Sequence, residues 1–271
     1  MQSSLSLALP STPQPGQWTN LPQLHGSSDA LAVAALGLRA REAGRLLLVL
    51  CASAQIAQRL SEEIRWIEPD LNVDLFPDWE TLPYDHFSPH QDLVSERLLA
   101  LYRLLQRQTH IFIAPVTTAS HRLAPLSFHA AHTFSITKGQ QFNLEAMRAQ
   151  LTLAGYAHVA QVVAPGEYCV RGGLIDLYPM GATLPFRIDL FDDEIESIKQ
   201  FNTESQRTLF PVNEIRLLPA REFPTDENAR TLFRKKFREV FEGDPSRCAM
   251  YKDIGNGVIA GGIEYYTPLF F

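Results

Sequence analysis

Several groups of side chains in this sequence have the types and spacings that chemistry would need. Gly26-Ser27-Ser28-Asp29-Ala30 lies where a phosphate-binding loop would open a first helix. Such a loop reads G-x-x-x-x-G-K-[ST]. Its glycines let backbone amides approach phosphate, its lysine neutralises charge and its hydroxyl holds magnesium. The chain has no G-K-[ST] string and no D-E-x-H string. His86-x-x-x-His90 and His129-x-x-His132 have spacings seen among metal ligands, but neither pair has a nearby cysteine, and prolines keep the first pair off a regular helix. Asp189, Asp192, Asp193, Glu194 and Glu196 could gather a cation; between two alternating apolar stretches they read better as a hairpin turn with a solvated face. A serine nucleophile would lack any G-x-S-x-G elbow. Trp79, Tyr84 and Phe87, in the proline-rich stretch 77–91, could stack on bases or pack onto their own domain. Arg230, Arg234, Lys235, Lys236 and Arg238 could touch DNA or an acidic protein surface; a solvated helix face is the plainer reading. Arg171 precedes Gly172-Gly173 at a strand end. A guanidinium makes paired bonds to carboxylates, so with Tyr168 and Tyr178 nearby it suits an interface, and it equally suits an ordinary surface hairpin.

The elements that must position these groups fall into three stretches. In the first, 29–43 reads as a helix ended by Gly44, and 45–50 as a strand apolar enough to be buried on both faces. Ser53 caps a helix over 54–67, stopped by Pro69, and strands follow over 72–76 and 110–114, separated by a leucine-rich helix over 92–106. Alternating strands and helices predict a doubly wound parallel sheet. After Pro125 the character changes. A strand over 133–137 and a helix over 143–154, capped by Asn143, lead into short strands over 159–163, 168–171, 174–178, 186–190 and 194–201. This is a small, mainly antiparallel α+β unit. The last stretch has a strand over 214–218 and a basic helix over 226–241, capped by Thr225, with Leu232, Phe233 and Phe237 as its apolar side. The expected boundaries are a flexible leader over 1–19, an α/β domain over 20–120, an inserted α+β domain over 121–207 and a further domain over 208–271. The Phe270-Phe271 end reads as an internal boundary of a longer protein.

Composition narrows the function. Apolar residues make up 45% and charged residues 20%, enough for a sizeable core. A net charge of −6 argues against a dominant phosphate-binding surface, which needs clustered lysine and arginine. The three cysteines, Cys51, Cys169 and Cys248, are far apart and suit a reducing cytoplasm, not a disulfide framework or zinc ribbon. No apolar run is long enough for a membrane partner.

Four strings in order carry a resemblance. They are Asp78-Trp-Glu-Thr-Leu-Pro-Tyr-Asp85 with Phe87-Ser-Pro-His-Gln91, Gly166-Glu-Tyr-Cys-Val-Arg-Gly-Gly-Leu-Ile-Asp-Leu-Tyr-Pro179, Leu190-Phe-Asp-Asp-Glu-Ile-Glu196 and Gly262-Ile-Glu-Tyr265. Together they resemble the N-terminal, UvrB-like module of the bacterial transcription-repair coupling factors (Mfd), from about residue 20 to 271. The resemblance implies a RecA-like parallel-sheet domain with a degenerate P-loop and an inserted small α+β domain that binds UvrA. It places Asp29 where a nucleotide-binding lysine would stand and Ala30 at the hydroxyl position, so no cofactor and no catalysis are expected here. It maps Arg171 onto a UvrA-pairing arginine of UvrB, with Glu167, Tyr168, Gly172 and Tyr178 around it. Cys169 and Ala157 depart from arginines at the matching UvrB positions. The resemblance also implies an intact protein that is an ATP-dependent DNA translocase, meets RNA polymerase and DNA through other domains, and masks its UvrA surface with its C-terminal domains at rest. A damaged-DNA-binding or nucleotide-binding UvrB-like module is the alternative.

Overall fold

A computed structural model describes residues 14–21 and 23–271, so most of the expected leader lies outside the described residues. The described residues divide into two compact units, those up to 78 with 103–120, and residues 79–102 with 121–271.

In the first unit, α1 (Ser28–Glu42) leads to β1 (Leu47–Cys51), α2 (Ala54–Ile67) and β2 (Val73–Leu75). Helix α3 (Gln91–Leu105) starts in the second unit and ends in the first, before β3 (Ile111–Pro115) and the short α4 (Val116–Ala119). The strands form a three-stranded parallel sheet in the order β1-β3-β2. Parallel strands need crossovers, and α2 supplies one between β1 and β2. Ser53 caps α2 as its sequence predicts, its hydroxyl accepting from the Ile56 amide at 3.3 Å. Ala30, Ala34, Ala57, Leu60 and Ile64 of the helices pack with Ile111 and Ile113. The approach is close at Gly37, where a Cβ would overlap the Ile111 side chain. The expectation that the 45–50 run is buried on both faces is corrected. β1 lies at a sheet edge, and Leu46, Leu48 and Leu50 are exposed while Cys51 is buried. Leu47, Val49 and Cys51 pack against the helices on one face, while Leu48 and Leu50 alternate onto the other, which is open.

The second unit begins with the loop from Trp79 and most of α3, then α5 (Leu126–Ala131), β4 (Phe134–Thr137), α6 (Leu144–Leu153) and β5 (Ala157–His158). There follow β6 (Glu167–Arg171), β7 (Leu174–Tyr178), β8 (Phe186–Phe191), β9 (Glu194–Phe201), β10 (Thr208–Val212), β11 (Glu214–Leu217), α7 (Glu227–Val240) and α8 (Ala249–Gly255). β5 to β10 form a six-stranded sheet in sequential order, antiparallel except for the β5–β6 pair. Sequential order follows from tight turns at Gly172-Gly173 and Asp192-Asp193, where Gly172 and Asp192 take positive φ. β4 pairs antiparallel with β11, so two segments far apart in sequence close together around the sheet.

Local differences have local causes. Val159–Val163 is irregular, not a strand: the Val159 amide still donates to Tyr168 O at 2.9 Å, but at the far end Val163 and Ala164 N–H turn to Glu167 Oε2 at 2.8 and 2.9 Å. Helix α7 is capped by Asp226 and not Thr225; its carboxylate accepts from the Asn228 and Ala229 amides. Asn143 caps α6 as expected, accepting from Ala146 N–H at 2.8 Å. Among the described residues no helix is long and apolar enough to cross a membrane.

Candidate functional site

The six-stranded sheet has two chemically different faces, and register explains both. Side chains two apart along a strand, and opposite one another across it, share a face. Tyr168, Val170, Ile175, Leu177, Phe186, Ile188 and Ile198 share one face and join a core with Leu151 and Ile136. The other face carries two cross-strand rows, Cys169-Asp176-Arg187-Lys199 and Arg171-Leu174-Asp189-Ser197. It is therefore a charged face.

Asp176 is its hub. Its carboxylate is only 1% exposed. It accepts from Arg187 Nε at 2.7 Å and Nη2 at 2.9 Å, and Arg171 Nη2 donates to the same Oδ2. Arg187 also lies over the Phe201 ring, 4.8 Å from its centroid. Hydrogen bonding to Asp176 raises the Arg187 guanidinium above its ordinary value. Arg171, by contrast, is 48% exposed and anchored at one end only. The remaining nitrogens of its fork can meet a carboxylate from outside while Asp176 fixes the side chain's direction. In the neighbouring row Asp189 accepts from Ser197 Oγ at 2.5 Å and Lys199 Nζ at 3.0 Å. Burial pushes the Asp189 carboxyl up, but these two donors outweigh it and leave it below the usual carboxylate range.

The other residues of the expected protein-binding set are distributed unevenly. Gly172 is exposed at the turn beside Arg171. Tyr178 shares the charged face, half-buried, with its hydroxyl donating to Thr183 O at 3.1 Å. Glu167 is on that face too, but its carboxylate is occupied by the 159–165 loop. Tyr168 lies on the opposite face, buried in the core and packed against the His158 ring. Residue spacing contains this distinction, since Tyr168 and Arg171 are separated by an odd number of positions along one strand. Sequence reading passed over Arg187 and Lys199, which need the strand register to be seen beside Arg171. The exposed Phe191, at the end of β8, was likewise passed over.

The Gly26–Ala30 stretch opens α1 with Gly26 in the left-handed region and Ser27 at the cap position, where no side-chain cap bond forms. Ser28 Oγ donates back to His25 O at 2.6 Å. Asp29 is not idle: Arg59 Nη2 donates to its Oδ2 at 2.6 Å, and Ala30 N–H to its Oδ1 at 2.7 Å. The Arg59 guanidinium holds the Asp29 carboxyl below its ordinary value. At the start of α1, then, stands a carboxylate already paired with an arginine of α2.

The remaining candidates resolve by burial. Trp79 packs inward, stacked on His121 at 4.6 Å with the Arg97 guanidinium above it and its Nε1 donating to Glu222 Oε1 at 3.1 Å. Tyr84 and Phe87 stay exposed. His129 is buried, and its imidazole is driven down by that burial; His132 Nδ1 is 2.9 Å from Phe128 O. Among the described residues no group of three or more His, Cys, Asp or Glu is placed to hold a metal.

Comparison with known proteins fits this geometry. Residues 134–223 match the family model of the UvrB interaction domain, a span that begins at β4 and ends just beyond β11. The charged sheet lies within the matched span. Over 94% of its length the chain is 46% identical to the transcription-repair-coupling factor of Escherichia coli K12, covering 22% of that protein. It is 33% identical to that of Mycobacterium bovis over 82% of the chain and 19% of the relative, and 29% identical to that of Bacillus subtilis over 77% and 18%. The chain corresponds to the N-terminal region of transcription-repair-coupling factors, and it spans about a fifth of the length of these relatives.

Proposed function

We propose that this chain is a docking platform for UvrA that does no catalysis of its own and serves transcription-coupled nucleotide excision repair. The observation that carries the proposal is the charged sheet face inside the UvrB interaction domain, where Arg171 is held by a buried carboxylate yet leaves half its side chain open. A partner offering carboxylates would complete the fork of Arg171, while Arg187 and Lys199, each already paired with a carboxylate of the sheet, hold the charged rows in place and the exposed Phe191 offers an apolar contact. Mixed charge on this face favours orientation and rate of encounter as much as affinity. In this reading the first unit is a RecA-like fold whose nucleotide site has lapsed, because Asp29 and Arg59 neutralise each other where phosphate would need free positive charge. The longer family members would supply the ATP-dependent translocase, the contacts with RNA polymerase and DNA, and the C-terminal domains that cover the UvrA surface at rest. The setting would be the cytoplasm.

Binding of the purified chain to UvrA, wild type against Arg171→Ala, tests the docking surface. Loss of a charged hydrogen bond should weaken the complex by about 1–3 kcal/mol, roughly 5- to 150-fold. Unchanged affinity removes Arg171 from the interface. Calorimetric titration with magnesium ATP tests the first unit; saturable binding lost in a variant of residues 26–30 would overturn the lapsed-site reading.

A further inference from the structure

A cavity of about 290 Å³ lies within the second unit, beside the first turn of α3. Ser88, Gln91, Val94, Arg221, Glu222 and Glu264 are among the residues that line it. Its two carboxylates are in different states. Glu222 is satisfied, accepting from Arg97 Nε at 2.6 Å, from Arg97 Nη2 at 3.1 Å and from Trp79 Nε1. Glu264 is only 6% exposed, and its Oε2 has no hydrogen-bond partner. Burial pushes the Glu264 carboxyl up, while Ser88 and the Arg221 charge pull the other way. Arg221 is its counterpart. Burial lowers that guanidinium, the Glu264 charge supports it, and no ion pair joins the two among the described residues. A carboxylate and a guanidinium thus attract one another from the wall of one cavity without closing on each other. Native proteins seldom leave a buried oxygen such as Glu264 Oε2 without a partner.

We propose that this cavity binds a small zwitterion of the α-amino-acid class, its ammonium donating to Glu264 Oε2 and its carboxylate accepting from Arg221. The volume is at the lower end of ligand sites and suits a molecule of that size. The two wall charges match a ligand of zero net charge better than a simple anion or cation. The partial positive end of α3, a helix of 15 residues, lies on the same wall and favours the carboxylate. The glycine pair Gly261-Gly262 builds the pocket: a Cβ on Gly261 would overlap His86 O and one on Gly262 would overlap Asp85 O, so only glycine lets the loop carrying Ser88 come down beside Glu264.

The test is titration of the 271-residue chain with L-alanine, L-serine and L-glutamine, following the thermal midpoint and amide chemical shifts, with acetate and ethylamine as half-ligands. At least one amino acid should raise the midpoint saturably and bind about tenfold or more tightly than either half-ligand. Glu264→Gln should abolish that rise. Arg221→Met should abolish the rise as well. If Glu264→Gln fails to fold, Ser88→Phe, which plugs the exposed mouth, must abolish it instead. Absence of saturation with all three amino acids would overturn the proposal. So would an undiminished response in the cavity variants, or acetate binding as tightly as the amino acids. UvrA binding is a separate readout, carried by the charged sheet face.

Discussion

Replacing Asp176 with asparagine separates folding from docking on the charged face. The wild-type carboxylate, 1% exposed, takes two bonds from Arg187 at 2.7 and 2.9 Å and a third from Arg171. Asparagine keeps one oxygen and turns an amide donor toward guanidinium donors. It also leaves the Arg187 charge, 17% exposed, without its carboxylate. Removing one member of a buried pair costs about 3–5 kcal/mol. Partial exposure of Arg187 puts Asp176→Asn near the low end, about 3 kcal/mol. Arg171→Ala should behave differently: the side chain is half exposed and Asp176 keeps its Arg187 pair, so the folding cost should be about 0.5–1 kcal/mol. Urea unfolding of both variants beside wild type gives the two numbers directly, provided the slope with denaturant is unchanged. Asp176 is not the hub of this face if Asp176→Asn unfolds within about 0.5 kcal/mol of wild type, below the cost of a single lost charged hydrogen bond. Nor is it the hub if Arg171→Ala is the more destabilising of the two.

Three further outcomes follow from other contacts. Glu222→Ala strands Arg97, whose side chain is fully buried, and should cost about 3–5 kcal/mol in chemical denaturation. Gly262→Ala meets both a left-handed backbone and the Asp85 carbonyl, and should lower stability by about 2 kcal/mol or more; a neutral result would mean the 85–88 loop moves away freely. Asp29→Asn should flatten the acid limb of the stability profile. The folded carboxyl is lowered beneath its ordinary 3.8 by Arg59, so its stabilisation is present above that value and is lost as pH falls through the lower folded one. With both partners a third or more exposed the effect should stay under about 1 kcal/mol, read as a change in acid-unfolding midpoint.

Much of the local architecture was legible because its causes are local. Ser53 and Asn143 announce helix starts by offering an oxygen to the next turn, and both do so. Gly172-Gly173 and Asp192-Asp193 mark hairpins because their backbones can turn tightly, and the strands on either side pair accordingly. Alternation along β6 to β9 shows that one face is core. The basic helix keeps Phe233 and Phe237 inward because helical spacing puts them on one stripe. The expected cap Thr225 gives way to its neighbour Asp226, whose carboxylate accepts from the Asn228 and Ala229 amides.

The sequence by itself determined most helix starts and hairpin turns, the alternation along β6 to β9, and that no lysine stands near residue 29. Those properties depend on neighbours a few positions away. Tertiary structure alone decided the partners. Asp29 is claimed by Arg59 from 30 residues along, and Glu222 by Arg97 from 125. Asp176 gathers Arg171 and Arg187 from two different strands, and Trp79 turns inward while Tyr84 and Phe87 remain outside. The physical reason is that a charge or a ring is stabilised by whatever packing and strand register bring within a few ångströms, and distance in space is not written in distance along the chain.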